Sequence, residues 1–164
     1  LLYIILRITP YKMSNVETTY VMIKPDGVQR ALVGKIISKF EKRGLQITGL
    51  KMQQASKALA EEHYAEHNQR PFFPSLTNFL SSGPVVSIAL RGPNAVAAGR
   101  QILGKTNSLQ AEMGSLRATY SSATSFNCVH ASDSIEASNR ELALWFKEGD
   151  IVNWEPAIKS WIYE

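Results

Sequence analysis

The chain holds a single cysteine, Cys128, among 164 residues. That excludes an intrachain disulfide and any multi-cysteine zinc site. Cys128 lies in an apolar stretch, where a buried structural thiol is a simpler reading than a reactive one. The scarcity of cysteine suits a reducing compartment, and a cytoplasmic location is expected. No apolar run approaches the roughly 20 residues that a membrane-spanning helix needs. There is no internal repeat and no low-complexity block. Lys and Arg form no run interleaved with aromatics, so nucleic acid is not expected as the main ligand.

What is present is ordinary in bulk: 45% hydrophobic and 20% charged residues fit a soluble globular protein. The length fits one domain, able to bury roughly two-thirds of its unfolded surface. A formal net charge of +4 favours anionic ligands without choosing among them. Leu1-Leu2-Tyr3-Ile4-Ile5-Leu6 is apolar but lacks a charged region before it and a cleavage site after it, so it does not read as a signal peptide. Met13-Ser14-Asn15 reads as a natural start. Residues 1–12 are therefore expected to be an upstream, non-native leader, and residues 13–164 the folded domain.

Thr18 to Ile23 reads as a buried strand broken by Pro25-Asp26-Gly27. Val33, Ile36, Ile37 and Phe40 recur at helical spacing, and Gly44 ends that helix. A second strand runs from Leu45 to about Gln53. Ser56 caps a helix reaching about His67, and Pro71 to Ser81 reads as helical again. Val85 to Leu90 is a third strand, followed by a turn at Gly92-Pro93, and Asn94 opens a helix that ends near Gly104. Residues 105–125 are polar, Ser-rich and aperiodic, a long loop of the kind kept for function. Phe126 to Val129 is a short fourth strand, and Ser134 to Phe146 a closing helix with Leu142, Trp145 and Phe146 inward. The order β-α-β-(αα)-β-α-β-α predicts an α+β, ferredoxin-like split β-α-β sandwich. Its four-stranded antiparallel sheet carries packed helices, with additional helices inserted after the second strand.

Asn127-Cys128-Val129-His130-Ala131-Ser132-Asp133-Ser134 puts a histidine at the end of an apolar run, directly before a helix start rich in N-cap residues. Free N–H groups and the positive helix end attract anions there, and imidazole is a competent neutral nucleophile near pH 7. A histidine that handles phosphate is the implication. Lys24, just after the first strand, is either a phosphate partner or a solvated lysine. His63 and His67 stand four apart on one helix without a third ligand pattern, so solvated helix histidines are expected rather than a metal pair.

Lys24-Pro25-Asp26-Gly27-Val28-Gln29-Arg30 and the His130 run together resemble the nucleoside diphosphate kinase family. The likeness continues in order through Arg70-Pro71-Phe72-Phe73-Pro74, Ser82-Gly83-Pro84-Val85, Gly99-Arg100, Gly104-Lys105-Thr106-Asn107, Leu144-Trp145-Phe146 and Tyr163-Glu164. It covers residues 17–164. The resemblance implies ping-pong transfer of the terminal phosphate of a nucleoside triphosphate, typically ATP with Mg²⁺, to a nucleoside diphosphate through a phosphohistidine at His130. It implies Glu141 as the carboxylate that orients His130, with Ser132 hydrogen-bonded to it. Lys24, Arg100 and Arg117 would be the cationic cluster and Thr106 a hydroxyl donor to phosphate. Asn127 would hold the sugar 3′-hydroxyl, Tyr64 would sit near the phosphates, and Phe72 would stack on the base; Phe73 reads as core. Mg²⁺ would be held mainly by nucleotide phosphates and water, with no protein metal site. A homo-oligomer, a hexamer from the family, and no membrane association are implied.

The sequence departs from the family pattern at Ala131, where glycine is usual, and at Ser108, Ala118 and Thr119 in the long loop. Those loop changes bear on the hexamer. Together with Ala131 they also motivate an alternative, a catalytically weakened member acting as a nucleotide-binding or scaffold protein.

Overall fold

The computed structural model describes residues 16–162, so the reading of residues 1–12 as a leader lies outside the described residues. Four strands, β1 (Val16–Ile23), β2 (Gln46–Gln54), β3 (Pro84–Pro93) and β4 (Val129–Ala131), form one sheet in the order β2-β3-β1-β4. Each neighbouring pair is antiparallel. This is the expected α+β sandwich, and the central position of β1 suits its fully buried Tyr20-Val21-Met22-Ile23 run. Successive side chains of a strand point to opposite faces. Val21 and Ile23 accordingly enter one core with Ile36, Phe40, Ile88 and Leu103, while Tyr20 and Met22 enter another with Leu80, Trp145 and Phe146.

The helices are α1 (Pro25–Gln29), α2 (Val33–Lys42), α3 (Lys57–His63), α4 (Phe73–Ser81), α5 (Ala95–Leu103), α6 (Leu116–Tyr120), α7 (Ile135–Trp145) and α8 (Lys159–Ile162). Helix α2 buries Ile36 and Phe40 in the first core, to which α5 adds Ile102 and Leu103. Helices α3, α4 and α7 cover the other face through Ala60, Leu80 and Trp145. None of the described helices is long and apolar enough to cross a membrane.

Several boundaries differ from the sequence reading for physical reasons. Pro25 does not break the chain into a turn; its fixed φ suits the first position of a helix, and it starts α1. The helix expected to reach His67 stops at His63, and Ala65–His67 tighten into a 3₁₀ turn. The helix expected from Pro71 begins at Phe73. Gly92-Pro93 is no turn: it extends β3, paired with Glu17 and Val16 of β1. The long loop contains a 3₁₀ turn, Ser108–Gln110, and α6, whose start is fixed by the Ser115 hydroxyl accepting from Ala118 N. The fourth strand begins three residues later than expected and ends two later, at Val129–Ala131, because Cys128 takes a left-handed φ of 61° and cannot extend the ladder upstream.

Candidate active site

Residue 130 faces outward from the first core by strand alternation. Val129 and Ala131 point into that core, while His130 pairs in register with Met22 and shares its face. On that face it meets α3 and α7. Its Nε2 lies 2.9 Å from Glu141 Oε1, and the Ser132 hydroxyl donates to Glu141 Oε2 at 2.5 Å. Glu141 is buried on α7, and burial pushes its pKa up. The cap of α7 is Ser134, whose hydroxyl accepts from Ala137 N, so Ser132 is free to serve Glu141.

An ionised carboxylate only accepts, so Nε2 carries the proton of a neutral His130 and donates it to Glu141. His130 stays neutral because burial, then Lys24, Arg117 and Arg100, hold its pKa well below the usual histidine value. The contact is thus a charge-assisted hydrogen bond rather than an ion pair, and it leaves the lone pair on Nδ1.

His63 is a correction to the sequence reading. It is 1% exposed, not solvated. Trp145 Nε1 donates to its Nδ1 at 3.2 Å, and its ring meets the His130 ring edge-on at 4.6 Å. Burial and the neighbouring His130 lower its pKa. The spacing Ala60-His63-Tyr64 on one helical face, all buried, was the available signal. His63, His130 and Glu141 hold ligand-type atoms within 4.8 Å of one another. They do not form a free metal cage, since the His63 Nδ1 lone pair accepts from Trp145 and both Glu141 oxygens accept hydrogen bonds.

Around His130 opens a cavity of about 780 Å³. Every candidate site residue except Ser132 lines it: Lys24, Tyr64, Phe72, Arg100, Thr106, Arg117, Asn127, His130 and Glu141. Lys24 leaves β1 buried, its backbone N–H donating to Cys128 O at 2.8 Å and its Nζ to Asn127 Oδ1 at 2.9 Å. Burial, then repulsion by Arg117, lowers its pKa to about 8. Arg117, presented by α6, donates to Gly104 O at 3.1 Å and Val129 O at 3.0 Å. Burial, then Arg100, pulls its pKa down to about 10. Arg100 reaches Ala131 O from α5 at 3.4 Å.

Two buried polar atoms of this cavity, Tyr64 Oη and Arg117 Nε, have no protein hydrogen-bond partner. Buried groups of this kind are costly unless something satisfies them. A ligand rich in anionic oxygen would supply partners for both.

Cys128 is a structural thiol, buried between Arg30 Nη1 at 3.3 Å and Tyr120 O at 3.6 Å, and burial pushes its pKa up to about 11. The strained backbone there is held by Asp26, whose carboxylate accepts from Cys128 N at 3.0 Å. That clamp fixes Asn127 and His130 on either side. Ala131 is not among the residues with positive φ, so alanine needs no glycine-like conformation at that position.

An imidazole with a free lone pair, a carboxylate behind it and three cationic side chains beside a cavity define the class: a phosphotransferase. The comparisons with known proteins narrow it. The family model for nucleoside diphosphate kinase matches residues 17–151. A nucleoside diphosphate kinase of Synechococcus sp. is 54% identical over 148 residues, 90% of this chain and 99% of that protein. Nucleoside diphosphate kinase 2, chloroplastic, of Pisum sativum is 51% identical over 152 residues, 93% of this chain and 66% of that protein. The structure of a halophilic nucleoside diphosphate kinase from Halobacterium salinarum in complex with CDP superposes with a TM-score of 0.88. It is 41% identical, covering 90% of this chain and 99% of that one. The chain belongs to the nucleoside diphosphate kinase family, a family of nucleotide-binding phosphotransferases.

Proposed function

We propose that His130 Nδ1 carries the phosphoryl group in a ping-pong nucleoside diphosphate kinase cycle. The observation that carries this reading is the Nε2 hydrogen bond to buried Glu141, which directs the lone pair to Nδ1 beside Lys24, Arg100 and Arg117. In the first half-reaction Nδ1 attacks the terminal phosphorus of a nucleoside triphosphate, typically ATP. The Nδ1–P bond forms as the bond from phosphorus to the bridging oxygen breaks, and the nucleoside diphosphate leaves with that electron pair. The ring, still protonated at Nε2, becomes positive, and Glu141 stabilises that charge with Ser132 holding the carboxylate in place. In the second half-reaction a terminal phosphate oxygen of another nucleoside diphosphate attacks phosphorus, and the electron pair returns to Nδ1.

Lys24, Arg100 and Arg117 neutralise the phosphate oxygens, with Thr106 and the unpartnered Tyr64 hydroxyl as further donors. Asn127, on the cavity wall, would bind the sugar 3′-hydroxyl, and the half-exposed Phe72 would stack on the base. Stacking tolerates every base, which suits an enzyme of broad nucleotide range. Mg²⁺ would enter as a nucleotide-borne ion held mainly by phosphate oxygens and water, with the Asp133 and Glu66 carboxylates also on the cavity wall. When bound it adds positive charge on the phosphates.

Incubation with labelled ATP alone is expected to leave an acid-labile, alkali-stable phosphate on His130, and His130→Ala to abolish both labelling and transfer. Transfer by the mutant at the wild-type rate would overturn the assignment. Near-zero turnover of the wild type with intact nucleotide binding would favour the scaffold alternative. Exposed Leu50 and Met52 on edge strand β2, with exposed Leu109 and Met113, support a homo-oligomer, a hexamer by family. A monomeric mass by light scattering would refute it. The buried Cys128 thiol suits a reducing compartment, and cytoplasm is the compartment proposed.

A further inference from the structure

Phe126 is a half-exposed aromatic ring, 48% exposed, on the wall of the cavity that contains His130. None of the chemistry above uses it. Leaving such a ring open to water is unfavourable, and nothing in the sheet requires it, since β4 begins only at Val129. Its setting is ordered. The Phe126 ring meets the Phe79 ring at 5.2 Å and 86°, an edge-to-face geometry that fixes the ring plane. Its chain neighbour Asn127 is buried and tied to Lys24, so the ring sits at a fixed offset from the cationic end of the cavity. Helix α4 and the residue before it supply Phe72, Leu76 and Phe79 to the same cavity, and Phe72 is also half-exposed at 50%. The cavity therefore has a polar, cationic end and an aromatic end, with half-open rings contributed by two separate segments.

We propose that Phe126 is a second aromatic contact for the nucleotide base, so that Phe72 and Phe126 together hold it and Phe79 braces Phe126 from behind. This rests on the reading of the cavity as a nucleotide site. Two contacts on separate segments reward base area, so Phe126 favours the larger bicyclic purines over pyrimidines. A ring that only braced the 124–127 segment would not discriminate between ligands by their bases.

The test is calorimetric binding to the full chain of three ligands: ADP, CDP and base-free ribose 5-diphosphate. Aromatic stacking on a base is strong enough that Phe126→Ala is expected to weaken ADP about tenfold and CDP about threefold. Ribose 5-diphosphate binding should not change. Phe126→Leu, which keeps an apolar filler against Phe79, should show the same order with a smaller loss, and it keeps the test available if the alanine variant fails to fold. Equal losses for all three ligands, or none for any, would overturn the proposal. Binding is read without turnover, so a base-selective loss in a protein that ATP does not label at His130 would sink the phosphohistidine reading and leave this one standing.

Discussion

At the residue scale the site depends on side chains whose pKa values the fold moves away from those they have in water. His130 is neutral because burial and three cations oppose its charge. Lys24 keeps its proton at pH 7, but burial and Arg117 bring its pKa to about 8. The sign of the pH effect follows. Below pH 8 Lys24 is charged and can neutralise phosphate; above it the free enzyme loses that charge. Because kcat/KM reports the free enzyme, it should fall on an alkaline limb near pH 8, approaching tenfold per pH unit. On the acid side no loss is expected until well below the ordinary histidine pKa. Lys24→Arg keeps its charge throughout, so its kcat/KM, whatever the absolute value, should lack the limb near pH 8. A limb that persists there in the arginine variant would assign it to another group.

At the element scale, two short helices that the sequence reading missed border the cation cluster: α6 carries Arg117, and α1 begins directly after Lys24. Helix α6 is one turn long and lies in a Ser-rich stretch, so no apolar period announces it; its signal was the cap Ser115. Helix α1 was hidden by Pro25 and Gly27, which look like a turn but suit a helix start and a close approach to Ile23 and Cys128. The long strands and the α2 and α5 helices were legible because apolar period and burial coincide there. His63 was read as solvated because its pairing with His67 outweighed its phase with Ala60 and Tyr64. The shift of β4 was invisible, since a left-handed Cys128 follows from a tertiary clamp by Asp26 and not from local propensity. Gly104 joins α5 to the loop and is the sharpest test of this scale. Its φ is +79°, a side chain there would collide with Ser115, and its carbonyl accepts from Arg117. Gly104→Ala should therefore cost about 1–3 kcal/mol of stability and weaken ADP binding, as denaturant melts and calorimetry would read. Unchanged affinity in a destabilised variant would separate the loop's architecture from the site.

At the scale of the whole molecule, the fold maintains a cavity that suits its ligand at the expense of the empty protein. Lys24, Arg100 and Arg117 face one another, and Tyr64 Oη and Arg117 Nε lack partners. The burden of Lys24 has a definite sign. Its pKa is lower in the fold than in the unfolded chain, so the unfolded state binds more protons between about 8 and 10.5. The penalty is complete below pH 8 and is relieved as pH rises through that window. A Lys24→Met variant at pH 7 removes a term of up to about 3 kcal/mol while losing the Asn127 hydrogen bond. Its ligand-free Tm should rise by a few degrees. The wild type should recover the difference when anionic oxygen fills the site: ADP at a hundred times its Kd adds about 2.7 kcal/mol, roughly 5–10 °C of Tm for a domain of this size. At the same ADP concentration the methionine variant should gain much less, because it has lost a phosphate partner. Thermal melts of both proteins with and without ADP read the crossing directly. If Lys24→Met melts lower than wild type without ligand, the buried ammonium stabilises the fold, and the cationic cavity is not held under strain for the nucleotide.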